Sequence, residues 1–321
     1  MSTNIQGLVQ ADEGGVNIQG PVASRLLQAN GRTQVLRTNA TLQDKEWEHF
    51  DTELLRSYRD ELTGVADLKQ RNLTYDLGGR GMAFPVMKYQ TMSNAGNAYV
   101  SMTGLGRGEA DLPIFNLRYF PLPIIASDWF LDYRHLEESR NMGTNLDTTM
   151  TEQSGEECGQ LQENILFNGY NAYEFGGGTL YGYTDFPHRH QGSLRASWSD
   201  SSTSGPMIVA DVRDMLDVLR QDKQRGPFGV YIPADYEAPL GRDYREGYPK
   251  TIRERILELS SDIEFIKTSD KLADDNVVVV QLKTKTVRMV TGLALQNLEW
   301  AEEGGMAFKF KALMIDVPQI R

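Results

Sequence analysis

The sequence predicts an α+β protein with one long helix, one projecting β-hairpin and a separate α/β segment. The helix is read from Thr144 to Gly169, where Leu146, Met150, Ser154, Cys158, Leu161 and Ile165 share one stripe and Asn168-Gly169 offers a left-handed stop. The hairpin is read from Phe84 to Tyr119, where short apolar runs flank the turn-rich Ser93–Asn97 and the glycine-rich Gly104–Gly108. The α/β segment is read after residue 204, where helical and extended patterns alternate.

Taken in order, residues 1–40 read as an extended arm broken by Gly14-Gly15, Gly20-Pro21 and Gly31, with a short helix over Val22–Gln28. From Leu42 the period becomes helical. Trp47, Phe50, Leu54 and Leu55 lie at i, i+3, i+7 and i+8, Tyr58 and Leu62 extend that face, and Gly64 is expected to end it. Phe84–Met87 and Ala98–Met102 are strand candidates, and Pro113–Ile125 is an apolar strand interrupted by proline. The long helix opens on Thr144-Asn-Leu-Asp147, a capping-box-like start. Its length of about 23 residues gives a rod of roughly 35 Å, with Glu152, Glu156 and Glu163 mostly off the apolar stripe. Residues 170–204 read as loop. Val212, Met215, Leu216 and Leu219 then mark a helix that stops before Gly226-Pro227, and Phe228–Ile232 is a strand. Thr251-Ile-Arg-Glu254 is a capping box opening a helix through Leu259. Ile263–Ile266, Val277–Leu282 and Val287–Val290 are strands, and Phe308, Phe310, Ala312 and Met314 alternate with Lys309 and Lys311 in a half-exposed closing strand. No internal repeat is present.

Composition narrows the function classes. Of 321 residues 40% are hydrophobic and 24% charged, as in ordinary globular proteins, and the formal charge is −11. Tight binding to a phosphate backbone needs clustered Lys and Arg, which the sequence does not display. The single cysteine, Cys158, excludes an intrachain disulfide and a cysteine metal cluster and suits a reducing compartment. No apolar run reaches the ~18 residues of a membrane span. The first residues lack a basic stretch followed by an apolar core, so no secretory signal is expected and the sequons at Asn39 and Asn72 read as chance matches.

Chemistry is sparsely signalled. His188 and His190 offer two imidazoles to a metal, with Asp185 or Asp200 as distant partners, but solvated loop histidines are the commoner case. Gly104–Gly108 and Gly176–Gly178 lack the strand-before, helix-after context and the Gly-Lys-Ser/Thr of a phosphate loop. Glu156-Glu157-Cys158 places an acid beside a thiol, yet Cys158 falls on the apolar stripe and reads as a buried, inert group. No Gly-x-Ser-x-Gly elbow occurs. These residues nominate no catalytic, cofactor or metal site.

The order of parts, arm, Trp-containing helix, hairpin, long helix ending in Asn-Gly, α/β domain and returning strand, resembles the major capsid protein of tailed bacteriophages, the Hong Kong 97 fold shared by encapsulin shells. ATLQDKEWEHFDTELLRSYRDELTGVADL is similar to the N-terminal segment of the encapsulin-like branch. NLRYFPLPIIASDWFLDYRHLEESRNMGTNLDT resembles the strand that leaves the extended loop and enters the peripheral domain. EECGQLQENILFNG resembles the end of the spine helix, and FKFKALMIDVPQIR the closing strand.

The resemblance implies an N-arm over 1–40, a helical segment over 41–76, an extended loop over 77–118, a peripheral domain from 119–203 and 301–321, and an axial domain over 204–300. It implies a structural role without catalysis or cofactor: self-assembly through hexamers and pentamers into a shell around double-stranded DNA, held without sequence recognition. Scaffolding, decoration and portal proteins are the further partners it implies, no membrane is involved, and the location is the virion, assembled in the host cytoplasm. Arg25, Arg37, Lys88, Met92, Tyr99, Met102, Arg107, Glu156 and Glu163 are the expected intersubunit contacts, and Arg32 joins Arg25 and Arg37 as a basic arm residue within reach of phosphates or neighbouring carboxylates. Some capsid families join a loop lysine to asparagine; Lys88 is the hairpin's one lysine, and such a bond needs it buried beside a carboxylate. The short arm leaves no room for a fused scaffold of ~100 residues. The alternating C-terminal lysines leave no obvious cargo groove, which sets the encapsulin nanocompartment second. An α/β enzyme using 204–300 with His188 or His190 is the alternative of a different class.

Overall fold

A computed structural model describes residues 10–12, 15–17, 27–29, 32–34, 44–92, 100, 102–103, 114–142, 148–302 and 306–321. In the N-terminal stretch β1 (Gln10–Asp12) pairs with β2 (Gly15–Asn17), and β3 (Leu27–Ala29) with β4 (Arg32–Gln34). Leu27 and Gln28 are thus strand where a helix was expected. The Asn30-Gly31 pair that follows is a hairpin signal that outweighs helical periodicity over so short a run.

Helix α1 (Asp44–Asp60) buries Trp47, Phe50, Leu54 and Tyr58, the stripe read from the sequence. Gly64 does not end this helix; it opens α2 (Gly64–Gln70). A Cβ on Gly64 would lie 2.9 Å from Leu166, so its place is set by close packing, not by a stop signal. After β5 (Thr74–Asp76), β6 (Val86–Met92) pairs antiparallel with β7 (Phe115–Pro121), from Val86 opposite Pro121 to Met92 opposite Phe115. Ala98–Met102 falls largely outside the described residues; Val100, Met102 and Thr103 are not in strand.

β8 (Ile125–Asp132) and α3 (Tyr133–Met142) lead to the long helix α4 (Thr149–Asn168), 20 residues, shorter than expected. The Thr144–Asp147 start lies outside the described residues, and Thr148 donates its hydroxyl to Glu152 at 2.6 Å. The Asn168-Gly169 stop holds: Gly169 has φ 71° and donates its N–H to Ile165 at 3.0 Å. Part of the segment read as loop is a hairpin, β9 (Tyr170–Phe175) with β10 (Gly178–Leu180), and Gly176 and Gly177 at φ 63° and 78° form its turn.

The remaining elements are α5 (Gly205–Gln221), β11 (Phe228–Ile232), α6 (Glu237–Leu240), α7 (Ile252–Leu257), β12 (Ile263–Thr268), β13 (Val278–Gln281), β14 (Val287–Glu302) and β15 (Ala307–Ile320). The Thr251–Glu254 capping box is complete on both sides. A three-stranded sheet, β12-β11-β13, with β12 parallel and β13 antiparallel to β11, shares a core with α5 and α7 through Trp198, Val212, Phe228, Val230 and Ile256. A four-stranded sheet runs β5-β14-β15-β8.

Two expectations for that second sheet need correcting. β14 spans 16 residues, not Val287–Val290, so a division at residue 300 cuts through a strand. Leu, Ala and Glu dominate its second half and conceal the strand. Pairing with β15 imposes it, with register shifts after Thr291 and Leu293 and Gly292 pressed against Gly81. β15 alternates only to Ala312; from there to Gln319 every residue is buried, because both faces are covered.

α1 and α4 lie together over this sheet, in a core of Leu54, Tyr58, Cys158, Ile165, Leu313 and Ile315. The buried face of α4 matches the expected stripe only in part: Ser154, Cys158 and Ile165 are buried as read from the sequence, and Leu146 lies outside the described residues. Leu161 and Met150 are 38% and 41% exposed, while Thr151, Ser154, Gly155, Cys158, Gly159, Gln162 and Glu163 are buried. The cause is distance. A Cβ on Gly155 would stand 2.2 Å from Ser57 Oγ, and one on Gly159 would stand 3.0 Å from the Tyr58 carbonyl. Large side chains are therefore excluded from the side that faces α1.

Polar groups fix this close approach. Tyr58 donates to Gln162 Oε1 at 2.5 Å, and Gln162 Nε2 donates to the Asp316 carbonyl and carboxylate, both at 2.9 Å. Lys69 meets the same carboxylate at 2.8 Å. Glu163, 2% exposed, accepts the N–H groups of Gly64 at 2.5 Å and Val65 at 3.2 Å. These are the orphan donors at the start of α2. Burial raises the Glu163 carboxyl above its ordinary range, and those backbone donors only partly oppose it. Asp67, also buried, accepts from Tyr231 at 3.1 Å and Lys267 at 2.5 Å and ties α2 to the three-stranded sheet.

Leu166→Ala should destabilise the isolated subunit by ~2–5 kcal/mol, since Leu166 is fully buried, whereas Leu161→Ala should stay within about 1 kcal/mol. Urea unfolding of both checks this, and equal losses would contradict the assigned helix face. Glu163 yields a pH prediction. Its folded pKa lies above the unfolded one, so its contribution is complete below the unfolded pKa and is lost as pH rises through the folded pKa. The stability of the native subunit minus that of Glu163→Gln should therefore fall as pH rises through the carboxylate range and beyond it. A difference that grows with pH would show that the α2 N–H groups, not burial, dominate the site.

Candidate functional site

The β6–β7 hairpin is buried only at its base. Phe120 and Pro121 are enclosed, and Gly178 of β10 braces the hairpin there, where a Cβ would fall 2.4 Å from the Tyr119 carbonyl. Beyond the base the two strands form a sheet with no third strand among the described residues. A two-stranded ribbon alone in water is marginal. This one nevertheless displays Met92 at 63%, Ile114 at 65% and Phe115 at 56% exposure, with Leu117 and Tyr119 also exposed and Val100 and Met102 fully so. Large apolar side chains left exposed together are a feature of surfaces that meet another molecule.

The residues nominated from the sequence fare differently. Lys88 and Met92 lie on β6, both exposed, and the Lys88 ammonium stands 5.8 Å from the centre of the Tyr119 ring. Within the single subunit Lys88 has no buried setting of the kind a lysine cross-link requires. Met102 is exposed. Tyr99, Arg107, Arg25 and Arg37 lie outside the described residues, as does Gly104–Gly108, and Arg32 is placed only as backbone of β4. Glu156 is exposed on α4. Glu163 is not on a solvated ridge: its carboxylate is spent inside the subunit on α2, because the tight α1–α4 contact turns that side of the helix inward. Sequence reasoning overlooked Ile114, Phe115 and Leu117. Their signal was the alternation of Phe115, Leu117 and Tyr119 with Asn116 and Arg118, which puts apolar side chains on one face of β7.

The chemistry candidates are placed as follows. His190 Nε2 pairs with Asp222 at the surface, and His188 sits edge-on to Phe186 at 5.8 Å. Asp185 accepts the Gly182 N–H and Asp200 the Ser202 N–H. Among the described residues no three His, Cys, Asp or Glu side chains converge on a possible metal position. Cys158 is buried, and burial, with Glu157 second, pushes its thiol up to about 11, which disfavours the reactive thiolate. Gly176–Gly178 forms the β9–β10 turn.

Comparison with known proteins fits this geometry. A family model described as a family of unknown function (DUF6260) matches residues 37–301. No curated protein matches the sequence. Among solved structures, the virus-like particle from Pyrococcus furiosus superposes with a TM-score of 0.60 at 15% identity, covering 85% of this chain and 94% of that one. The capsid of Myoviridae phage XM1 gives 0.57 at 10% identity, over 74% and 82%. The capsid of the native GTA particle gives 0.53 at 12% identity, over 81% and 87%. The likeness at these identities is one of fold: the described hairpin, long helix and two sheets fit the Hong Kong 97-type fold expected from the sequence. The chain belongs to the DUF6260 family and carries that shell-protein fold.

Proposed function

We propose that the chain is a major capsid protein whose copies tile an icosahedral shell. The observation that carries this reading is the β6–β7 hairpin, an ordered ribbon that exposes Met92, Ile114, Phe115 and Leu117 on a fold shared with capsid and virus-like-particle proteins. Ordering such a ribbon costs conformational entropy that its own base cannot offset, so a neighbouring copy supplies the missing apolar contact. In this reading residues 1–40 are the N-arm, 41–76 the helical segment and 77–118 the extended loop. Residues 119–203 with the C-terminal strand form the peripheral domain, and the axial domain begins at 204. Because β14 shares a sheet with β15 and β8, residues 287–300 join the peripheral side. Hexamers and pentamers are the assembly units. Double-stranded DNA is held by confinement, and scaffolding, decoration and portal proteins complete a virion built in the host cytoplasm.

The deciding measurement is electron microscopy of the purified protein with its scaffold partner, together with the particle contents. Closed shells that package nucleic acid support the reading, shells filled with protein cargo assign the encapsulin role instead, and a persistent small oligomer refutes both. Removing 90–117 and joining Tyr89 to Arg118 through a Gly-Gly turn should leave a soluble monomer with a thermal midpoint within about 3 °C of the native one. That monomer should form no shells. A variant that unfolds outright would show that the hairpin belongs to the subunit's own core.

A further inference from the structure

The three-stranded sheet has a charged surface at each end, of opposite sign. At the amino end of β11 a cavity of about 450 Å³ is lined by Lys223, Arg225, Lys283, Lys285 and Arg321, with Gln224, Gln281 and Thr286 between them and no Asp or Glu. Several cations elsewhere meet an Asp or Glu within the chain, among them Arg71, Arg195, Arg220, Lys250, Arg253 and Lys267; what distinguishes the cavity is that five cations without such a partner line one concavity. None of the five cavity cations has an Asp or Glu partner among the described residues. Lys283 donates to the Arg225 carbonyl at 2.8 Å, Arg321 stands 5.3 Å from the centre of the Tyr89 ring, and the nearby Asp222 is turned to His190. Crowding is felt next door, where Arg288 is depressed by burial first and by the Arg321 charge second. In a chain of net charge −11, five clustered cations with no Asp or Glu partner among the described residues mark a site for an anion.

The same unit carries the complement. Asp235 follows the carboxyl end of β11, Asp270 that of β12, and Asp274 precedes β13, so all three lie at the end opposite the cavity. The five-residue strand puts the two ends about 16 Å apart. Asp235, Asp270 and Asp274 are exposed and have no ion pair among the described residues, unlike Asp275, which accepts from Ser197 and Tyr236 at 2.5 Å each. Lys271 is the one cation in the intervening sequence. We infer that the basic cavity receives the acidic end of the same sheet from a second copy, in a head-to-tail contact. A heterologous contact that repeats from copy to copy closes a ring when the rotation allows, which is how a capsomer forms. Charge of this kind sets register and partner choice more than affinity, and excludes head-to-head pairing. A duplex occupant is disfavoured by the concave shape and by an acidic subunit surface around it.

This inference rests on the shell reading, and the test separates the two. Arg225→Glu with Lys285→Glu, both exposed, should lower the yield of assembled particles at least about tenfold at physiological salt, with an unchanged circular dichroism spectrum and melt. Asp270→Lys with Asp274→Lys should do the same. The fourfold variant, with charges exchanged between the ends, should restore assembly. If either reversal disturbs the fold, Arg225→Gln with Lys285→Gln and Asp270→Asn with Asp274→Asn replace it, read as a lowered salt concentration for disassembly. Native protein that forms no particles refutes the shell reading itself. Native particles with both double variants assembling normally overturn this inference alone. A fourfold variant that stays unassembled overturns it too, as do full-yield double-variant particles that have lost their DNA, which would give the cavity to phosphates.

Discussion

The subunit depends on how closely the spine helix lies against α1. Gly155 and Gly159 remove the side chains that would hold the two helices apart, so backbone meets backbone over about one turn. Once that spacing is set, the neighbouring positions on α4 face a wall too near for leucine. Small residues, a thiol and two long polar side chains occupy it instead. The same approach brings Gln162 within reach of Tyr58 and Asp316, and Glu163 within reach of the first N–H groups of α2. A buried polar group is tolerated only when its partners are in place, so these bonds lock the position that the glycines allow.

From that contact the rest follows in sequence. α2, held by Glu163, presents Asp67 to Tyr231 and Lys267, and so joins the helical layer to the three-stranded sheet. α1 presents Trp47 and Phe50 to Trp129 and Phe310, an aromatic cluster whose central rings stack at 4.0 Å across the neighbouring strands β8 and β15 of the four-stranded sheet. Both sheets are thus referred to one pair of helices. The hairpin is attached only at its base, which is why it keeps its direction while sharing little of the core.

What was legible in the sequence was local. The stripe of α1, the Asn168-Gly169 stop and the Thr251–Glu254 capping box each depend on residues within a few positions of one another. The hairpin was legible from the turn-rich Ser93–Asn97 and the strand patterns on either side of it, and β6 and β7 pair as a two-stranded sheet. The buried face of α4 was legible only in part, at Ser154, Cys158 and Ile165. Its determinant is the distance to α1, 90 or more positions away, and hydrophobicity points to Met150 and Leu161, which the structure leaves exposed. The length of β14 was hidden likewise, because β15 confers it. The basic cavity was invisible because its cations lie at 223, 225, 283, 285 and 321, scattered until the strand ends bring them together.

The interior and the periphery of this chain obey different rules. Inside, the described carboxylates that enter the core have partners, and the side chains at the tightest contact are trimmed to fit. Outside, two kinds of surface remain unmatched. The hairpin leaves apolar area in water, and in the shell reading proposed above this is a force without direction that would draw copies together. The three-stranded sheet leaves charge of opposite sign on its two ends, a weaker but directional force. Apolar contact alone would allow a hairpin to settle on a neighbour in several registers. Charge alone would be screened over a distance of roughly 8 Å at physiological salt. Together they give an attraction that holds and a pattern that chooses, which a repeating shell needs at every one of its contacts.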